Sequence, residues 1–316
     1  MGTVGLGFIG VGHVGQGMIE QVPKVPGLSV AAVQDVNLDT AAKVAERWAI
    51  PWYGERLEDM LELPSVDAVV IATPNVYHVP QAQAALRAGK QVLVEKPLAV
   101  SAGDARATVD LAAARGRMLF VDYSYRLLDT AAALQAALPK IGSVRAVSAV
   151  FHNVPPGPPR PGREWFMDPR LSGGGVLLDL GVHLLDMALW LFRPRDARLE
   201  RFELERRPGF QVERNARVEL RFDEVPVSLE VSGGSPRPLA EISLVVHGAG
   251  GQLRWHNVQG SYAHFRTWLN ERLLIEREIT LRENTLRAFA AALASGSAPP
   301  IDTRVYDLID QAYARG

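Results

Sequence analysis

Through roughly its first 120 residues the chain alternates short β-branched apolar runs with alanine-rich helical stretches, and few folds admit that rhythm. Strands read at 3–9, 28–34, 66–72, 91–94 and 118–122, with a weak short one at Trp52 and Tyr53. Helices fit between them at 14–21, 38–48, 56–61, 76–88 and 102–115. Strands separated by helices cannot pair as tight hairpins, so the sheet is expected to be parallel, covered on both faces and doubly wound.

Near Tyr123 the rhythm changes. A helical stretch to Leu138 is followed by strand-like runs at 144–152, 199–206, 211–222, 227–231, 242–247 and 251–256. Helices interrupt them at 176–192 and near 283–293, which suggests an α+β domain with a large, mainly antiparallel open sheet. A last helix at 304–314 is expected to pack back on the first domain. The chain's 316 residues exceed the usual size of one core, so two domains are expected, 1–123 and 124–316. The proline-rich loop 155–161 is too long and stiff for a hairpin turn and reads as a surface loop or as part of the wall of a site.

Charge and cysteine content narrow the partners. Lys and Arg number 34 against 35 Asp and Glu, a net charge of -1, so no general positive field would gather nucleic acid or an anionic membrane. The absence of cysteine excludes disulfides, thiolate zinc sites, thiolate-held iron–sulfur clusters and a cysteine nucleophile. The opening lacks a secretory pattern, and no later run reads as about 18 apolar residues, the length of a membrane span. A cytoplasmic protein with a small-molecule partner is expected.

The opening glycines permit two GxGxxG registers, one at Gly5, Gly7 and Gly10 and the other at Gly10, Gly12 and Gly15. The fingerprint needs a full strand before it, a helix opening at its third glycine, and an acidic residue about twenty positions on. Only the second register meets all three, with Asp35 ending the second strand. Gly10 would allow the tight turn, Gly12 the approach of a pyrophosphate and Gly15 close helix–strand packing, with His13 and Val14 opening the helix beneath the phosphates. The first domain is therefore expected to be a Rossmann domain. Asp35 would grip the adenosine ribose and repel a 2′-phosphate, which favours NAD over NADP; an ordinary strand-end aspartate is the alternative.

Two further strand ends carry polar groups: Thr73, Pro74 and Asn75 with His78, and Glu95-Lys96-Pro97. Ligands bind at that edge of an open parallel sheet, so these residues are candidates for the cofactor, Glu95 and Lys96 for its nicotinamide end, and Pro97 for a cis bond. In the second domain, Gly173–Gly175 precede an apolar helix bearing Asp179, His183 and Asp186. Spacings of four and three put the three on one helix face, where burial without partners would be costly. They need partners, a ligand or a wet cleft. A metal is not expected, because further ligands are not evident nearby.

On these motifs the sequence resembles the Gfo/Idh/MocA oxidoreductases. The features that carry the resemblance are the Gly10–Gly15 fingerprint, the Ala72–Asn75 strand end with His78, Glu95-Lys96-Pro97, and the run from Gly173 through Asp179, Gly181, His183 and Asp186. The resemblance implies an N-terminal Rossmann domain, a C-terminal domain with a large open sheet, and homodimers or homotetramers paired through that sheet. It implies Lys96, Asp179 and His183 as the catalytic set for a secondary alcohol of a sugar or polyol. His183 would take the hydroxyl proton, Lys96 and Asp179 would orient the group, and hydride would pass to nicotinamide C4. Tyr125, Arg126, Arg163, Trp165 and Asp168 lie in segments suited to lining a sugar pocket, or equally to packing and surface charge. A dinucleotide-binding sensor without turnover, and a reductase of a C=C or C=N bond, remain alternatives.

Overall fold

The computed structural model describes residues 2–153, 164–235 and 237–315. The chain divides into two compact units, one of residues up to Asp122 with Leu281–Ile301, the other of Tyr123–Thr280 with the residues from Asp302 onward.

The first unit contains strands β1 (Val4–Ile9), β2 (Leu28–Gln34), β3 (Trp52–Gly54), β4 (Ala68–Ile71), β5 (Gln91–Val94) and β6 (Leu119–Val121). All pair in parallel, in the order β3-β2-β1-β4-β5-β6. Helices α1 (His13–Ile19), α2 (Leu38–Trp48), α3 (Leu57–Leu61), α4 (His78–Arg87) and α5 (Ala102–Arg115) make the crossovers. Leu6, Phe8, Ile9, Val69, Val70, Ile71, Val92, Leu93 and Val94 are wholly buried, as expected of central parallel strands. Each such side chain contributes roughly 1.5–3 kcal/mol by leaving water. Local chemistry sets the helix ends: Asn37 and Ser101 cap α2 and α5, and Gly116 closes α5 in the left-handed region. The strand order reverses direction between β1 and β4, which opens a crevice at their carboxyl ends.

In the second unit, helices α6 (Asp129–Ala137), α7 (Pro169–Ser172) and α8 (Val182–Phe192) accompany eight strands: β7 (Val144–His152), β8 (Ala197–Arg206), β9 (Glu213–Phe222), β10 (Val225–Ser232), β11 (Glu241–Gly248), β12 (Gly251–Asn257), β13 (His264–Leu269) and β14 (Arg272–Glu278). Their order is β14-β13-β12-β11-β7-β10-β9-β8, antiparallel except where β7 meets β10. One face carries the core residues Val147, Ala149, Phe151, Leu229, Leu244 and Trp255, alternating with more accessible residues on the other face.

The structure departs from the sequence expectation in three places. Strands β13 and β14 were not expected, because arginine and glutamate break their apolar alternation; they form a hairpin whose turn residue Asn270 takes φ 51°. The helix that groups with the first unit is α9 (Leu281–Ser295), where Phe289 packs edge-on against Phe120. The last helix, α10 (Arg304–Arg315), instead packs within the second unit on β8 and α8, with Tyr306 and Tyr123 hydroxyls 2.6 Å apart. Finally, the helical stretch Pro169–Phe192 has the length and composition of a membrane span, although 78 % of its apolar window is buried inside the protein.

Candidate active site

The turn after β1 is shaped by glycine. Gly10 has φ +80°, and a Cβ there would come within 2.6 Å of Thr73 Cγ2 at the end of β4. A Cβ on Gly15 would lie 2.3 Å from the Gly10 carbonyl oxygen, so that position tolerates no side chain while α1 crosses β1 so closely. Around Gly12, by contrast, a Cβ would meet nothing within 4 Å. Gly12 precedes α1 as its N-cap with no side-chain partner, leaving a bare backbone cradle of the kind a pyrophosphate fits. Gly5 and Gly7 lie inside β1, where a Cβ would strike Ser65 and Met60, so they serve strand packing.

Asp35 leaves β2 beside this turn. Its carboxylate accepts from the amides of Val11 and Asn37, each at 3.0 Å. A carboxylate oxygen can accept more than one hydrogen bond, so both keep capacity for ribose hydroxyls while the Val11 bond holds Asp35 to the glycine turn.

The ends of β4 and β5 are tied together by His78, 1 % exposed, whose ring nitrogens lie 2.8 Å from the Thr73 carbonyl and 2.7 Å from the Pro97 carbonyl. Burial lowers its pKa and the two carbonyls oppose that shift. His78 is thus placed as a brace behind the strand ends, and Asn75 is buried with it. Thr73 donates to Gln81 at 2.6 Å, Pro74 is half-buried, and the Lys96–Pro97 bond is cis.

Glu95 has a neighbour that the sequence did not reveal. Val94 pairs with Val121, so the next residues, Glu95 and Asp122, leave adjacent strands side by side. Burial, then Asp122, pushes the Glu95 carboxyl up to about 8 against the pull of Lys96 and Arg282. Burial raises Asp122 to about 6 although Thr285 donates to it at 2.7 Å. Arg282 and Thr285 come from α9, more than 150 residues away in sequence, which is why no local pattern announces them.

In the second unit the three polar residues of the apolar run separate. From Leu177 to Leu189 every residue is buried except Asp179 and His183. The run opens with a π-helical turn, Leu177–Gly181, that carries Asp179. Asp186 is 2 % exposed and pairs with Arg126 at 3.1 Å. Burial pushes its carboxyl up to about 7 against the pull of Arg126, and Asp302 adds to the rise.

Arg126 therefore stands in a buried ion pair, lying 5.1 Å over the Tyr123 ring. Tyr125 is buried and meets His183 edge-on at 5.0 Å, within an aromatic cluster of Phe151, Trp255 and Phe265. Tyr262, half exposed and 6.4 Å from Phe151, joins that cluster without a sequence signal. Trp165 stacks on Phe166, and Asp168 caps α7 while gripping the Arg170 guanidinium. Arg163 and the proline-rich loop lie outside the described residues. Among the described residues no group of three or more His, Asp or Glu side chains is disposed to hold a metal ion.

Comparison with known proteins fits this arrangement. A family model described as an oxidoreductase family with an NAD-binding Rossmann fold matches residues 4–123, so the first unit is the dinucleotide-binding part of an oxidoreductase. A second, described as the GFO/IDH/MocA C-terminal domain, matches residues 136–254. The chain belongs to the Gfo/Idh/MocA family. It is 29% identical over 254 residues to a 1,5-anhydro-D-fructose reductase of Ensifer adhaerens, covering 80% of this chain and 75% of that one. It is 32% identical over 194 residues to an inositol 2-dehydrogenase of Gluconacetobacter diazotrophicus, covering 60% of this chain but only 54% of the relative. Its fold matches levoglucosan dehydrogenase in complex with NADH with a TM-score of 0.86 at 20% identity, over 99% of this chain and 96% of the other.

Proposed function

We propose that this protein transfers hydride between a nicotinamide dinucleotide and a secondary alcohol or ketone of a sugar, polyol or related small molecule. The observation that carries the reading is the helix from Leu177, which is buried throughout its first thirteen residues except at one carboxylate and one imidazole, Asp179 and His183. Leaving only an acid and a base partly accessible along a core helix is the pattern expected of proton handling rather than packing. Relatives named for a sugar-derived ketone and for a polyol supply the substrate class.

The bare backbone at Gly12 and the Asp35 carboxylate fit a dinucleotide, and Asp35 favours NAD over NADP by repelling a 2′-phosphate. When bound, the nicotinamide ring accepts or returns the hydride. His183 takes the proton from the substrate hydroxyl as the carbon–hydrogen bond breaks. Lys96 and Asp179 hold that hydroxyl in line, and the edge of Tyr125 restrains the His183 ring. In the reverse direction His183 returns the proton to the nascent alkoxide. We place this chemistry in the cytoplasm, in a homodimer or homotetramer paired through the eight-stranded sheet, and sedimentation of the purified protein tests the assembly.

The decisive measurement is initial rates with a panel of polyols, sugars and their keto forms, each with NAD and NADP or the reduced cofactors. Turnover of at least one member, faster with the NAD form, is expected. Tight dinucleotide binding with no turnover of any alcohol or ketone would instead make the protein a sensor.

A further inference from the structure

Where side chains cap other helices in the chain they come from the adjoining residue, Asn37 for α2, Ser101 for α5 and Asp168 for α7. The run that carries Asp179 begins with Gly173–Gly175, which have no side chain to offer. Its first amides are met from far away. Glu213, at the start of β9 and 4 % exposed, accepts from Gly175 N at 3.1 Å through one carboxylate oxygen and from Leu177 N at 3.0 Å through the other. Tyr313 of α10 donates its hydroxyl to the second oxygen at 2.8 Å, and that hydroxyl also lies 3.2 Å from Gly175 N as an acceptor.

The glycines leave the room this needs. A Cβ on Gly175 would lie 2.5 Å from Glu213 Cδ, and one on Gly174 would lie 2.4 Å from the Tyr313 hydroxyl. The carbonyl of the same Gly175 accepts the amide of Asp179 at 3.0 Å. Gly175 is thus held on its amide side by Glu213 and Tyr313 and holds Asp179 on its carbonyl side. The neighbouring residue, Arg214, donates to the Gly233 carbonyl.

We propose that Glu213 and Tyr313 are positioning residues that set where the Asp179 carboxylate stands, acting through the Gly175 peptide. A cap serving stability alone needs only a local hydroxyl or amide; a buried carboxylate braced by a tyrosine costs far more desolvation. That cost is accounted for if the turn must be held to within a fraction of an ångström for catalysis. The buried Tyr313 hydroxyl is held well above its ordinary pKa by burial and by Glu213, so it remains a donor throughout the neutral range.

This inference rests on the hydride-transfer reading, and two readouts separate their failures. Tyr313→Phe and Glu213→Gln are compared with Tyr306→Phe, which removes a different buried hydroxyl contact of α10. Amide hydrogen exchange of the full chain should quicken at least about ten-fold at residues 175–179 in the first two variants and not in the third. With the best alcohol substrate, kcat should fall about ten- to a hundred-fold with KM within about three-fold, a loss confined to the transition state. The pH profile of kcat/KM should move in both, and dinucleotide affinity should stay within about two-fold of the parent. Unchanged exchange at 175–179, or equal effects in Tyr306→Phe, would overturn the positioning role. If the parent protein turns over no alcohol, the exchange result alone judges the clamp and only the hydride-transfer reading is lost.

Discussion

The two units present polar groups by opposite means. In the first, the groups stand where parallel strands end, and around the β1 turn a few neighbouring residues do the shaping: Gly10 turns, Gly15 lets α1 close in, and Asp35 bonds the turn it faces, while Asp122 also draws support from α9. In the second, Asp179 and His183 emerge from a helix that is otherwise core, and their supports arrive from β7, β9, α10 and the segment at Tyr125. Strand ends expose side chains as a consequence of topology. A buried helix exposes one only where tertiary packing leaves a gap, as the fate of Asp186 shows: three residues past His183, it is sealed against Arg126.

The largest test of that contrast is loss of the proposed catalytic groups, one from each unit. His183→Ala and Lys96→Ala should each slow kcat by about a hundred- to ten-thousand-fold with the fold intact by circular dichroism. A loss in only one of them would confine the chemistry to one unit. Next comes the sealed pair. Arg126→Met leaves the Asp186 carboxyl buried, protonated and without its partner, and should cost about 1–3 kcal/mol of second-unit stability in urea unfolding at neutral pH. Adding Asp186→Leu should recover most of it, and no loss in the single variant would show the pair to be dispensable.

Matched glycine substitutions sharpen the comparison further. Gly12→Ala faces open space and should leave the melting temperature unchanged while weakening dinucleotide binding about ten-fold. Gly175→Ala collides with Glu213 and should cost about 1–3 kcal/mol of stability. The reverse pattern would mean that Gly12 packs and Gly175 binds. Asp35→Ser should narrow the preference for NAD over NADP several-fold in kcat/KM, and an unchanged ratio would remove Asp35 from that role.

The smallest effect expected is on stability against pH. Burial keeps Glu95 protonated up to about 8 and Asp122 up to about 6, so the folded first unit retains protons that the unfolded chain has already released. The unfolded state then binds fewer protons, and stability falls as pH rises from the ordinary carboxylate range to about 8, levelling beyond. Asp186, raised to about 7, acts in the same sense in the second unit. Asp122→Asn should flatten the decline in melting temperature measured across that range. A parent protein that grows more stable as pH rises there would contradict the raised values.

Much of the architecture was legible in the residues. Runs such as Ala68–Ile71 and Gln91–Val94, set between alanine-rich helices, leave little choice but buried parallel strands. The register of the glycine motif followed from needing a strand long enough to reach it. By contrast, Arg266-Thr267-Trp268 and Arg272–Glu278 hid two strands, because Arg266 lies on the accessible face of β13 and β14 is the edge of the sheet, where charge is tolerated. His78 and Asn75 looked like ligand contacts from their place after β4, but His78 faces two carbonyls in the interior. The helix spacing of Asp179, His183 and Asp186 suggested one shared face, but Arg126 seals Asp186 in the interior while the other two stay half-buried.

The sequence by itself determined the repeating βα units, the glycine turn with its acidic partner, and which side chains had chemistry to offer, because each of these depends on interactions between residues close along the chain. Tertiary structure decided which of those side chains meet water. It brought Asp122 beside Glu95, Thr285 to Asp122, Glu213 and Tyr313 to Gly175, and Arg126 to Asp186. Desolvation and charge depend on every atom within a few ångströms, most of them distant in sequence, and no local pattern carries that information.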